Sequence, residues 1–176
     1  MEKTVLVIVT LTLLIGNSCQ DQTALAELEK LKAQTQLEEQ NKALAERWHQ
    51  DLTIERNWDV ADEILATDFV LHYDAPGAED INGLEEVKTL DEMWKNMPNF
   101  KINNHEIIAE DNYVLIRWDA SFDHTLDLMG IPASGNHISG VYGMDLFLIK
   151  DGKITDLWQS YDQLGFMQQM GAIPTP

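Results

Sequence analysis

Apolar and polar positions follow three successive rhythms along this chain, and each rhythm predicts a different kind of structure. Residues 5–15 read V-L-V-I-V-T-L-T-L-L-I after a single Lys3. That run is shorter than the roughly 20 residues of a membrane span and fits the hydrophobic region of a secretory leader. Residues 21–40 lack Gly and Pro and are rich in helix formers, but Leu25, Leu28, Leu31 and Leu37 do not sustain a heptad. They predict a solvated helical spacer rather than a coiled coil. From Asn41, Leu44, Trp48 and Leu52 recur every four residues with Ala45 beside them, the apolar stripe of a first domain helix. Asn57 and Asp59 mark a break, and Asp59 is the expected N-cap of a short helix over V-A-D-E-I-L-A.

The period then changes to two. F-V-L-H-Y-D at 69–74 reads as a strand entering an A-P-G loop, and Leu84, Val87, Leu90, Met93 and Trp94 predict a third helix stopped by Pro98. Four long strand-like runs follow, separated by Asp-Asn, Gly-Ile-Pro and Asp-Gly, with a tight hairpin at Asp151-Gly152. Asp162 precedes Q-L-G-F-M as the expected N-cap of a C-terminal helix whose Leu164, Phe166 and Met167 close the fold. Helices first and an antiparallel meander last predict an α+β domain with its helices on one face of the sheet.

Composition narrows the partners. With 44% hydrophobic and 24% charged residues the chain is globular, and its net charge of -18 disfavours nucleic acid and anionic lipid headgroups. The only cysteine, Cys19, follows Gly16 and Ser18, small residues that suit cleavage before it, and no intrachain disulfide can form. That placement resembles the lipobox of bacterial lipoproteins, with Gly16 where leucine is usual. The expected organisation is a signal peptide over 1–18, an anchor and spacer over 19–40 with lipid on Cys19, and one domain over 41–176. Such a protein is exported to the bacterial cell envelope and meets the membrane only through its N-terminal lipid.

Alternation in the strand from Tyr113 sends Val114, Ile116, Trp118, Ala120, Phe122 and His124 to one face. On the next strand Asp145 shares a face with Val141, Phe147 and Ile149, and the opposite face is also apolar. A desolvated carboxylate disfavours its charged form, which suits general acid/base work near neutrality; the alternative is a carboxylate bonded to a neighbouring strand or helix end. His72 shares a face with Val70 and Asp74, so it either faces a cavity or bonds Asp74. His105 is expected at the surface and His137 at a rim. The five histidines show no short ligand spacing, and no phosphate loop or nucleophile elbow is present, so no metal and no cofactor are expected.

Several short motifs recur in a recognisable order: His72, Pro98-Asn99-Phe100, Glu110-Asp111-Asn112, Asp123-His124, Gly130 to Gly135, Gly152-Lys153-Ile154, Trp158, Asp162 and Gln169-Met170-Gly171. In that order, from Asn41 to about Pro174, the chain resembles the SnoaL-like polyketide cyclases, or ester cyclases, of the nuclear-transport-factor-2-like superfamily. The resemblance implies a conical barrel, a strongly curved antiparallel sheet wrapped around N-terminal helices. It also implies cofactor-free, aldolase-like chemistry in which a carboxylate removes an activated proton. By resemblance Asp145 is that carboxylate, with His72 and His124 as proton-sharing or oxyanion-binding partners. Trp118, Phe122, Tyr142, Phe147 and Trp158 are the expected pocket walls, and the outer sheet face is the expected surface of a homodimer. Leu126, Ala133-Ser134 and Leu148 depart from the family pattern and leave the substrate unnamed. Two function classes therefore stand: a cyclase, isomerase or hydrolase for a small carbonyl or ester compound, and a domain that binds a small apolar molecule without turnover.

Overall fold

The computed structural model describes residues 2–74 and 77–175, with the side chains of residues 2–21 and of Leu90 outside the description. The leader and the Cys19 thiol fall outside the described side chains, and Ala75 and Pro76 of the A-P-G loop fall outside the described residues. The chain divides into two compact units, Met1–Leu37 and Glu38–Pro176. The first is helical, the beginning of α1 (Glu2–Arg47), and its Leu25, Leu28 and Leu31 are exposed, as a solvated helix requires. Among the described residues no helix is long and apolar enough to cross a membrane.

In the second unit the end of α1 passes directly into a π-helical segment, Trp48–Ile54, where Glu55 N donates to Gln50 O five residues back at 2.9 Å. Ala45, Trp48, His49 and Leu52 make its buried face. A short 3-10 turn (Trp58–Val60) leads into α2 (Ala61–Ile64). Asp59 does not cap this helix, contrary to expectation: it sits inside the preceding turn, and Val60 occupies the cap position without a side-chain bond.

Six strands follow in one sheet: β1 (Leu65–Tyr73), β2 (Ile81–Asn82), β3 (Lys101–Glu110), β4 (Tyr113–Asp123), β5 (His137–Lys150) and β6 (Lys153–Tyr161), in the order β2-β1-β6-β5-β4-β3. β1 and β6 run parallel and every other pair is antiparallel. The sheet is strongly curved and stays unclosed, so the expected α+β cone is observed with β2 and β3 as free edges. β5 turns into β6 through Asp151 (φ 51°) and Gly152 (φ 73°), two successive left-handed residues that match the twist of the flanking strands.

Among the register slips of this sheet, those in β3 and β5 change which residues look inward near the site. In β3 the register with β4 slips between Asn104 and Ile107, so both face the core side although they are three residues apart. In β5 a slip near Gly140 does the same for Ile138 and Val141. Helix α3 (Leu84–Glu92) ends before Met93, in turns that run to Pro98. Asp162 caps α4 (Gln163–Gln169) as expected, accepting from Gly165 N at 2.9 Å. Of the three residues expected to close the fold, Phe166 is buried and Met167 half-buried, whereas Leu164 is exposed because it lies on the outer side of this short helix.

Candidate functional site

From Val141 onward β5 alternates, so Asp145 points inward with Val141, Gly143 and Phe147, and its carboxylate is fully buried. Register brings two polar neighbours to the same row of the concave face. Gln159 of β6 pairs with Asp145, and Tyr73 of β1 pairs with Gln159. The π-helical segment lays His49 over that row. His49 Nε2 lies 2.9 Å from Asp145 Oδ2, and Nδ1 lies 2.6 Å from Asn104 Oδ1, which the β3 bulge turns inward. Gln159 Nε2 donates to Asp145 Oδ1 at 3.2 Å, a longer and weaker hold than that on Oδ2. His49 and Asp145 are 3% and 0% exposed, so removing either one leaves its partner desolvated.

Beside this pair opens a cavity of about 290 Å³. Its walls are mainly aromatic, with Trp48, Trp58, Trp94, Phe100, Trp118 and Phe122 among them, and His49, Gln159, Tyr73 and Tyr161 supply polar atoms. Asp91 also lines it but is neutralised from behind: Arg56 Nη1 donates to Oδ1, and Trp58 Nε1 donates to Oδ2 at 2.9 Å. No Lys or Arg lines the cavity among the described residues. Burial, with Tyr161 and Asp145 close by, pushes the Tyr73 phenol well above its ordinary pKa, so it stays protonated and remains a hydrogen-bond donor.

The predicted site residues separate into three groups. Asp145, Trp118 and Phe122 gather at the cavity or immediately behind it, and Phe147 is sealed in the core with its ring 6.2 Å from that of His49. His124 is buried as its parity demands but does not meet Asp145. Asp145 lies opposite Ile116, and His124 comes eight positions further on, roughly 25 Å away at the strand rise. There His124 Nδ1 bonds Ser134 Oγ at 3.0 Å and Nε2 has no partner. His72, Tyr142 and Trp158 face the other side of the sheet, because β1, β5 and β6 place Leu71, Val141 and Leu157 inward. His72 does not bond Asp74 either: it takes Asp80 at Nδ1 (2.9 Å) and Asp156 at Nε2 (3.2 Å), stacked on Trp158.

That outer arrangement has a measurable consequence. Burial pulls the His72 pKa down, but its bonds to Asp156 and Asp80 outweigh this and hold it above the ordinary 6.5. A raised value means the imidazolium is favoured by folding, so its stabilisation is complete below pH 6.5 and is lost as pH rises through the raised value. Thermal melts of the full chain across that window are expected to show Tm falling with pH, with a shallower slope in His72→Asn.

Sequence reading missed His49, Asn104, Gln159 and the two tyrosines. For His49 the signal existed: Ala45, Trp48, His49 and Leu52 are spaced i, i+3, i+4, i+7, the inward stripe of a helix. Gln159 and Tyr161 share their parity with the buried Leu157. Asn104 carried no such signal, since only the bulge sets its direction.

Comparison with known proteins agrees with this architecture. A family model described as SnoaL-like polyketide cyclase matches residues 43–170. No curated protein matches the chain. Among solved structures, a protein of Jannaschia sp. CCS1 assigned as a SnoaL-like polyketide cyclase is 21% identical with TM-score 0.67, covering 78% of this chain and 96% of that one. TsrD from Streptomyces laurentii is 25% identical with TM-score 0.65, covering 76% and 96%. An epoxide hydrolase of the LEH-like type from M. tuberculosis is 19% identical with TM-score 0.56, covering 76% and 93%.

Proposed function

Because this chain belongs to the SnoaL-like polyketide cyclase family, with its nuclear-transport-factor-2-like cone, we propose that it is a cofactor-free acid/base enzyme for a small, largely apolar carbonyl or ester compound. One observation carries the reading: a fully buried carboxylate, Asp145, held on a histidine at the wall of an aromatic cavity. Oδ2 stays on His49 Nε2, which fixes the carboxylate plane. Oδ1 is held only by the longer bond from Gln159, a cavity-lining side chain, so a substrate that displaces the Gln159 amide reaches Oδ1. There Oδ1 accepts a proton from the carbon next to a carbonyl group, and the enolate so formed closes a ring or is reprotonated elsewhere. The water-poor aromatic walls keep that charge from being quenched by solvent. Independently of the chemistry, the leader and the small residues before Cys19 support the proposal that the protein is exported to the bacterial envelope and anchored by lipid on Cys19.

A second reading, binding without turnover, has its own support: Asp145 itself does not line the cavity, and both nitrogens of His49 are already engaged. Mass spectrometry of small molecules retained by the purified chain, wild type against Asp145→Asn, separates the two. The enzyme reading expects a carbonyl compound held unchanged by the variant and converted by the wild type. Retention of one unchanged compound by both forms would leave binding alone, and retention of nothing apolar by either would sink both readings. The intact-mass spectrum of the same samples is expected to show lipid on Cys19.

A further inference from the structure

Proton removal by Asp145 leaves an oxygen that gains negative charge, and among the described residues no Lys or Arg lines the cavity to meet it. Arg56, which reaches the lining residues Asp91 and Phe100 from outside, is committed to the Asp91 carboxylate and to the face of Phe100. Some neutral donors are spent as well: Thr53 Oγ1 donates to Trp48 O, Gln159 Nε2 to Asp145 and Trp58 Nε1 to Asp91. Besides the indole N–H groups of Trp48 and Trp94 and the Gln163 amide, the lining holds two phenolic hydroxyls. Tyr73 and Tyr161 both line the cavity, and neither hydroxyl has a hydrogen-bond partner or is sealed from the void among the described residues.

Their placement follows from register. Tyr73 pairs with Gln159, which pairs with Asp145, so one residue separates Tyr73 from the carboxylate within a row. Tyr161 is two residues beyond Gln159 on the same face of β6, opposite Gly143, a position with no side chain to intervene. Both rings therefore stand on the β1–β6 side of Asp145 and face the same cavity. We propose that the Tyr73 and Tyr161 hydroxyls form an oxyanion site that receives the substrate's carbonyl oxygen, and that this site selects uncharged carbonyl compounds over carboxylates and phosphates.

The step balances within the cavity. The C–H proton goes to Asp145 Oδ1, its electron pair becomes the new C–C π bond, and the carbonyl π pair moves onto the oxygen between the phenols. Return of the proton reverses each movement. Because Tyr73 is held in its protonated form, it donates to that oxygen without giving up its proton. An anionic substrate would bring a second negative charge close to the buried Asp145 behind the wall, with no Lys or Arg in the lining among the described residues.

This inference rests on the proton-abstraction reading, and the probe is chosen so that the two can fail separately. 4-Nitrophenol offers a planar phenolate whose ionisation is read from its visible absorption, and 4-nitroanisole offers the same ring without an ionisable oxygen. Wild type is expected to take up 4-nitrophenol as the neutral phenol and to pass its proton to Asp145, so that the bound probe absorbs as the ionised form while no second net charge enters the cavity. Tyr73→Phe and Tyr161→Phe are each expected to weaken that binding about tenfold, the loss of one hydrogen bond to a charged acceptor, while leaving 4-nitroanisole binding and Tm unchanged. Unchanged 4-nitrophenol affinity in both variants, or no ionised probe bound to wild type, overturns the oxyanion site. Asp145→Asn reports on the other reading: tighter phenolate binding places the carboxylate next to the site. If Asp145→Asn is without effect while Tyr73→Phe is weakened, the donors stand and the base must be sought elsewhere.

Discussion

His49→Ala is expected to destabilise the full chain by about 3–5 kcal/mol, the usual loss when one member of a buried charged or charge-sharing pair is removed. The reason lies in what the substitution leaves behind. Asp145 is fully buried, and without His49 its only remaining side-chain partner among the described residues is the Gln159 amide at 3.2 and 3.5 Å. Asn104 Oδ1 loses its short contact in the same step. Urea unfolding of wild type and variant measures the loss directly. The double variant His49→Ala/Asp145→Leu is expected to recover a large part of it, because the orphaned carboxylate then disappears. Recovery would attribute the cost to the stranded charge; no recovery would attribute it to the packing of His49 against Trp118 and Phe147, whose rings lie 6.3 and 6.2 Å away. Activity is lost in both variants under the acid/base reading, so the pair separates stability from chemistry.

The same pair shows how much the sequence discloses. Period-two alternation was enough to turn Asp145, Trp118 and Phe122 inward, since a strand with one packed face has little freedom of register. Alternation says nothing, however, about how far along the strand two inward residues stand from each other. His124 obeyed its parity and still ended near the far end of the sheet, bonded to Ser134. The true partner of Asp145 comes from a helix 96 residues earlier in the chain. No strand pattern can reveal such a contact, although the helical stripe did mark His49 as inward. Family motifs misled in the opposite direction. His72 and Trp158 occupy matching places in the motif order, yet they stack on each other on the outer face, where Asp80 and Asp156 hold the imidazole. Motif order followed the fold, and the site depends on parity and bulges beneath that order.

Gly143→Ala is expected to close the cavity and to cost about 1–3 kcal/mol, the range for forcing extra atoms into a packed core. Gly143 sits in β5 opposite Trp118 on β4 and Tyr161 on β6, so its backbone is held from both sides. The Trp118 indole lies directly over it: a Cβ built there would stand 2.3 Å from Cζ2 and 2.6 Å from Cη2. The strand cannot retreat without breaking two ladders, so the ring must move, and the adjoining space is the cavity that Trp118 lines. A displaced indole would occupy ground in front of Asp145 and beside Tyr161, and 4-nitrophenol binding should fall further than in either tyrosine variant. Trp118→Leu in the Gly143→Ala background removes the collision and is expected to restore urea stability relative to Gly143→Ala alone. A glycine in the middle of a long strand weakens it, and here that weakness has a steric cause: only a residue without a Cβ lets the widest side chain of the concave face lie flat and leave the cavity open.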